Sequence, residues 1–406
     1  MRRTSSSSRS AWVVLAVSVG AQSGTSFYQF GIPYLLPQVR SALGVSLFEG
    51  ALLVAAPTAG MIATLLLWGW TADRLGDRPV MATGLLGAGA CLVAVPLAGS
   101  ALVLGGLLFL AGAFGASVNV TSGRVVLRSF GVSERGLAMG IRQTSPLIGM
   151  GLAALLLPGL GAAYGYAEAL LVPAAICAAA ACAAVVVIDP ALRRPDVPRV
   201  RTPSPYRHPE LWLLHSASAL LVIPQIAVAS FAFIYLVDVA GWTSATAGTW
   251  LAVAMAGGAA CRLLAGTWSD RVGDRVAPMR RLALLAFAVV AATAALMLVR
   301  GGSVPAVLLP AAAVTSAWNG LAFTAVAETA GSTWAGRALG LQNTLQYVTT
   351  AATPPVMALA IGPGRYGWAF LGSSLAALVA FVLVPAGLSP AASPQQEPHD
   401  ATAPGT

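Results

Sequence analysis

Gly69-Trp70-Thr71-Ala72-Asp73-Arg74-Leu75-Gly76-Asp77-Arg78 returns 197 residues later as Gly266-Thr267-Trp268-Ser269-Asp270-Arg271-Val272-Gly273-Asp274-Arg275. Gly, Asp, Arg, Gly, Asp and Arg recur in the same register. A second match pairs Gly136-Leu137-Ala138-Met139-Gly140-Ile141-Arg142-Gln143-Thr144 with Gly336-Arg337-Ala338-Leu339-Gly340-Leu341-Gln342-Asn343-Thr344, 200 residues apart, and Asn119 meets Asn319 at that same offset. Two independent matches at nearly one offset mean that the second half of the chain repeats the first.

Each copy of the first motif sits between long apolar runs. Of 406 residues, 57% are hydrophobic and 9% charged, against about 25% charged in a soluble domain. That composition excludes a soluble enzyme, a disordered regulator and a nucleic-acid-binding protein. Twelve apolar spans are read at 11–36, 47–70, 79–98, 101–128, 137–160, 164–188, 211–237, 244–267, 280–299, 303–327, 337–361 and 367–387. Runs of this length suit membrane helices and are too long for barrel strands. The fold class is therefore all-α, with twelve transmembrane helices in two pseudo-symmetric six-helix bundles related by an axis along the membrane normal.

Charge sets the orientation. The chain has 23 arginines, no lysine and a net charge of +9. One side of the twelve-span scheme collects Arg2, Arg3, Arg9, Arg74, Arg78, Arg135, the 189–210 loop, Arg271, Arg275 and Arg337. The other holds little beyond Arg40, Arg300 and Arg365. The positive-inside rule then puts both termini in the cytoplasm of a bacterial inner-membrane protein. The organisation expected is a cytoplasmic tail at 1–10, a first bundle at 11–188, a cytoplasmic linker at 189–210, a second bundle at 211–387 and a disordered tail at 388–406. Arg2, Arg3 and Arg9 before an apolar run resemble a signal peptide, but no A-x-A-like site follows and the run continues, so it reads as an uncleaved first helix.

The repeated loop resembles the G-x-x-x-D-R-x-G-x-R signature between helices two and three of the major facilitator superfamily, and its second copy the counterpart between helices eight and nine. The likeness extends over about residues 11–387 and implies a secondary transporter working by alternating access. One departure stands out: Asp77 and Asp274 occupy a position that is usually basic, and the charge has moved to Arg78 and Arg275. In physical terms, Gly69 would let helices pack closely, and Gly76 would permit a positive-φ turn. Asp73 is placed to accept hydrogen bonds at a neighbouring helix N-terminus. Gly69, Asp73, Arg74, Gly76 and Arg78, with Gly266, Asp270, Arg271, Gly273 and Arg275, form a candidate conformational gate that latches the two halves in one state. The alternative is a solvated turn that only fixes topology.

Polar residues at helical spacing mark candidate binding faces. Gln22, Ser26 and Gln29 share one face of the first span, and Asn343, Gln346, Tyr347 and Thr350 one face of the eleventh. In lipid such faces turn to a partner or a cavity. The family resemblance, in which spans 1, 4, 7 and 10 line the cavity, favours Gln22, Gln29, Asn119, Gln225 and Asn319. Arg124 lies about 9 Å inside the fourth span and Arg142 about 9 Å inside the fifth, at about 1.5 Å per residue. Asp73 and Asp77 belong to the loop, so no acid is expected at that depth. An unpaired cation there costs at least about 2.5–3.5 kcal/mol. Helix carbonyls, water, Glu328 or a bound anion must compensate, and arginine suits a carboxylate. Glu328 itself reads as an inter-bundle ion pair or a proton-coupling acid. His215 is a hydrogen-bonded histidine or a proton carrier, and Glu168 and Asp238 are solvated near the outer surface.

Ser145-Pro146-Leu147-Ile148-Gly149-Met150-Gly151 partly resembles the fifth-helix signature of drug/proton antiporters, although a second Gly-Pro pair is missing; small-residue packing explains it as well. The expected solute is a small molecule, with an organic anion as the candidate and a drug exchanged for protons as the alternative. The expected partners are a small-molecule solute, the lipid bilayer and, as a candidate, a coupled proton; the chain is expected to work as a monomer without nucleic acid. A membrane enzyme or sensor is the rival class. No G-x-x-x-x-G-K-[ST] loop and no Ser/His/Asp set is present. The four cysteines form no C-x-x-C pair, and the three histidines are scattered, so no metal or cofactor is expected.

Overall fold

The computed structural model describes residues 6–131, 134–189, 204–207, 209–299 and 302–385. Residues 1–5 of the N-terminal tail, most of the linker and the C-terminal tail named above lie outside the described residues, while residues 6–10, expected as tail, already belong to the first helix. Among the described residues twelve membrane helices follow one another. They are α1 (Ser6–Gln29 continued by Ile32–Leu43), α2 (Leu47–Leu75), α3 (Asp77–Val93), α4 (Ala101–Ser129), α5 (Arg135–Arg142 and Ser145–Tyr164) and α6 (Tyr166–Ala169 and Leu171–Val187) in the first bundle. The second holds α7 (Pro209–Ile234, prolonged by a π turn at Tyr235–Val239), α8 (Ser244–Val272), α9 (Val276–Leu298), α10 (Val304–Gly331), α11 (332–361) and α12 (Tyr366–Leu383).

Ten of these segments are long and apolar enough to cross a membrane on composition alone. The two that fall short, α1 and α11, carry Gln22, Ser23, Thr25, Ser26 and Gln29, or Asn343, Gln346, Thr349, Thr350 and Thr353. Their polar side chains face protein partners instead of lipid, which a hydropathy average cannot see. Where the sequence suggested a loop between spans ten and eleven, the chain turns at Gly331 alone (φ 72°).

The end of the molecule with the α2–α3 and α8–α9 turns is called the near end, and the opposite one the far end. At the far end Ser46 opens α2 with a reciprocal cap: Glu49 N donates to Ser46 Oγ (3.2 Å) and Ser46 N to Glu49 Oε2 (2.7 Å). Gly76 closes α2 with φ 90°, as its position in the motif suggested. Gly69 does not behave as expected. A Cβ there would meet nothing within 4 Å, so it brings no helices together. The close approach lies one layer deeper. A Cβ on Gly60 would sit 1.8 Å from Phe109 O, and one on Gly112 1.8 Å from Pro57 O. Reciprocal glycines thus let the backbones of α2 and α4 touch.

Candidate functional site

Between the bundles a hydrogen-bonded cluster draws on α1, α4, α5 and α11. Gln22 Nε2 donates to Asn119 Oδ1 (3.1 Å), and Ser122 Oγ donates to Gln22 Oε1 (3.4 Å). From the other bundle, Tyr347 Oη donates to the same Asn119 oxygen (2.9 Å). Arg142 Nε donates to Ser122 Oγ (3.2 Å) and its Nη1 to Gln143 Oε1 (2.9 Å). The sequence candidates Gln22, Asn119 and Arg142 therefore meet. In the second bundle Gln346 Nε2 donates to Asn319 Oδ1 (3.1 Å), at the position that repeats Asn119. Gln29 sits toward the far end, where its Nε2 donates to Thr58 Oγ1 (3.2 Å) beside a cleft also lined by Ser230 and Thr350. Gln225 and Asn343 stay outside the network. Gln225 Oε1 is enclosed without a hydrogen-bond partner among the described residues, and Asn343 is half-buried.

Arg142 owes its place to a break in α5. Pro146 has no N–H to continue the helical ladder. Ser145 Oγ donates to Arg142 O (2.6 Å) and Thr144 Oγ1 to Ile141 O (2.7 Å), so side chains satisfy what the break exposes. The carbonyl of Gln143 is left to an arginine that the sequence reading passed over. Arg262 Nη1 donates to Gln143 O (3.1 Å), while its Nε and Nη2 donate to Ser316 O (3.3 and 3.0 Å). Ser316 belongs to a second break, between Val304–Val314 and the helix that starts at Asn319. Among the described residues neither Arg142 nor Arg262 forms a salt bridge with a carboxylate. The signal for Arg262 was present: it stands ten residues before the end of α8, about 15 Å deep at about 1.5 Å per residue.

Arg124 is a correction. Asp73 Oδ1 lies 2.8 Å from its Nη1 and Asp77 Oδ1 3.2 Å from its Nε, and Arg128 also pairs with Asp77. The arginines reach along α4 to the α2–α3 turn, as long cationic side chains do near a helix end. Depth counted at the Cα overestimated how deep the charge lies. Asp77, in the usually basic position, is buried and receives both arginines.

The second copy inverts this chemistry. Arg275, from the loop, pairs with Asp270 and, at 3.2 Å, with Glu328 of α10, where the first bundle has Arg128. The hydrogen bond to Asp270 raises the Arg275 pKa further above its ordinary value. Asp274, not Asp270, accepts from a helix N-terminus, through Val276 N at 2.7 Å. Arg74 stacks on Trp70 at 3.8 Å, Arg78 lines the α2–α3 turn and Arg271 is exposed. In this conformation these near-end pairs join loop and helix within one bundle; Glu328 does not cross to the other.

The bundles meet instead at the far end. Arg40 Nη1 lies 3.1 Å from Asp238 Oδ2, so Asp238 is not simply solvated. Tyr34 stands edge-on to Phe233 with centroids 5.3 Å apart. A Cβ on Gly248 would be 2.2 Å from Ala154 O, which marks close contact of α8 with α5. His215 is hydrogen-bonded, with Gln342 Oε1 2.6 Å from its Nδ1 and Tyr206 Oη 3.4 Å from its Nε2.

A sequence profile of the Major Facilitator Superfamily matches residues 18–354. An uncharacterized MFS-type transporter of Mycobacterium tuberculosis strain H37Rv is 37% identical over 383 residues, 93% of this chain and 86% of that protein. A probable sulfoacetate transporter of Cupriavidus necator is 29% identical over 140 residues, 34% of this chain and 33% of that protein. Among solved structures, a bacterial homologue of the human lysosomal transporter Spinster, inward-facing and occupied, superposes with a TM-score of 0.76 at 15% identity, over 92% of this chain and 95% of that one.

Proposed function

Because the chain belongs to the major facilitator superfamily and is a membrane transporter, we propose that it carries a small organic anion by alternating access, with Arg142 as the anchor for the negative group. One observation carries this reading. Arg142 lies among neutral partners, Ser122 and Gln143, in a network tied to both bundles through Asn119 and Tyr347. A guanidinium offers a two-pronged fork to a carboxylate or sulfonate. The solute named for the Cupriavidus necator relative, sulfoacetate, is an organic anion, which supports the same class over the third of the chain that aligns.

The arginine asymmetry supports placing the near end in the cytoplasm. The far-end contacts then describe an inward-facing state. In the opposite state the near-end clusters would have to exchange partners as the bundles rock, which is the role we assign to the repeated loop. Drug/proton antiport is the weaker reading. A lipophilic cation would meet Arg142, and the glycine of its partial signature has a packing cause: a Cβ on Gly149 would lie 2.4 Å from Ser23 O.

Counterflow in proteoliposomes tests the proposal, with a panel of short carboxylates and sulfonates set against lipophilic cations. At least one anion should exchange, and Arg142→Gln should abolish that exchange in well-folded protein. Exchange of cations alone, or an anion flux that Arg142→Gln leaves intact, overturns it.

A further inference from the structure

Arg262 extends the site across the bundle interface. It comes from α8, while Arg142 comes from α5. The two converge on one residue: Arg142 Nη1 donates to the Gln143 side-chain oxygen and Arg262 Nη1 to its main-chain oxygen. Two cations on either side of a single residue, deep within the spans, repel each other in a medium that screens poorly. Carbonyl dipoles hold Arg262 without neutralising it. The acids of the described residues lie toward the ends of the bundles: Asp73, Asp77, Glu134, Asp189, Glu210, Asp270, Asp274 and Glu328 at the near end, Glu49, Glu168 and Asp238 at the far end. Neither guanidinium uses all five of its N–H donors: Arg142 has two hydrogen bonds and Arg262 three.

We propose that the solute is a short dianion with an acid group at each end, one taken by Arg142 of the first bundle and the other by Arg262 of the second. This rests on the anion reading above and narrows it. Two negative groups neutralise both cations, whereas one leaves a net charge between the bundles. The placement also ties binding to movement. Each cation belongs to a different bundle, so a solute with two acid groups bridges them and favours the conformations in which they are close; a solute with one acid group can be held by one bundle alone. Arg262 would pass N–H donors from the carbonyls of Gln143 and Ser316 to the solute, which leaves those break carbonyls to water or to neighbouring side chains.

The test is isothermal titration of the full-length protein in nanodiscs at pH 8, where the probes are fully ionised. Malonate is compared with propionate and succinate with butyrate, so that chain length is matched and only the second acid group differs. At least one dicarboxylate should bind at least about tenfold tighter than its matched monocarboxylate, a difference of about 1.4 kcal/mol. Arg262→Gln should erase that preference, weakening the dicarboxylate much more than its matched monocarboxylate. Arg262→Lys, which keeps the charge, should retain part of it and guards against loss of fold in the neutral variant. Equal binding of mono- and dicarboxylates in the wild type, or a preference that survives Arg262→Gln, overturns the dianion while the anion reading stands. No binding of any of the four probes overturns the dianion proposal, and the counterflow panel with its sulfonates then decides the anion reading.

Discussion

Arg40 and Asp238 are 198 positions apart, and Tyr34 and Phe233 are 199 apart, nearly the offset of the sequence repeat. The far-end contact is therefore made by repeat mates of α1 and α7, which places it close to the pseudo-two-fold axis. An ion pair so placed joins the bundles where rocking separates them. Its strength follows from exposure. The N···O distance is 3.1 Å, but both side chains are 34% exposed, so the surface range of about 0.2–1 kcal/mol applies, and not the larger Coulomb energy of a dry interior. Asp238→Asn should raise the population open at the far end by about 1.4- to 5-fold. Hydrogen exchange of the amides in 31–43 and 232–243 reads that opening directly. High salt should move the wild type toward the variant, because exposed pairs are screened. Exchanging the residues, Arg40→Asp with Asp238→Arg, should restore the wild-type rates. If neither single variant changes exchange, or the exchanged pair behaves like the worse single variant, Arg40 and Asp238 do not hold the far end closed.

Gly112→Ala should lower the thermal stability of the purified protein by about 1–3 kcal/mol or more, since its Cβ would enter Pro57 O; Gly69→Ala, with nothing within 4 Å, should be neutral or raise it by up to about 1 kcal/mol. Equal melting temperatures for the two variants would refute the α2–α4 crossing. Asp77→Asn takes a buried carboxylate from Arg124 and Arg128 while Arg124 keeps Asp73, and should cost about 1.5–3 kcal/mol, whereas Glu328→Gln, at 52% exposure, should cost less than about 1 kcal/mol in the same thermal assay. A reporter fused at Thr202 should be active as a cytoplasmic tag and silent as a periplasmic one; the reverse pattern would invert the membrane orientation.

The fold was legible because its two signals are complementary. Span length reports crossing of the bilayer, and the repeated Gly-Asp-Arg-Gly-Asp-Arg string reports duplication; either alone would have left the bundle pairing open. What the string did not disclose was which residue of each copy does which job. Asp73 and Asp270 occupy one motif position, yet Asp73 takes Arg124 from α4 and Asp270 takes Arg275 from its own loop. The difference arises far along the chain, in the change from Arg128 to Glu328, because an electrostatic role is fixed by what packs opposite. Likewise Gly69 is conspicuous in the motif but open in space, while Gly60 and Gly112, inconspicuous in sequence, carry the backbone contact.

The site was half legible for a reason that bears on its chemistry. Polar faces on α1 and α11 follow helical periodicity and pointed to Gln22 and Gln346. Arg124 and Arg142 looked alike from sequence because depth along a helix does not reveal where a long side chain ends. Arg124 runs to the membrane end and finds carboxylates, whereas Arg142 is held inward by Ser122. Arg262 has no polar periodicity around it, only Cys261 and Leu263 beside it in the chain. It becomes visible once α5 and α10 are seen to be interrupted, since each interruption frees the carbonyl it binds. Breaks in membrane helices are tolerated where the exposed backbone is buried in protein or faces a cavity. Two such breaks meeting one arginine across the bundle interface mark the place where the chain departs most from lipid-adapted structure, and there the repeat symmetry fails too, because Gln342 stands at the mate of Arg142 and Leu65 at that of Arg262. A duplicated scaffold would give like residues at like positions; a single cation from each half, at unmatched positions, is what recognition of one solute by both bundles requires.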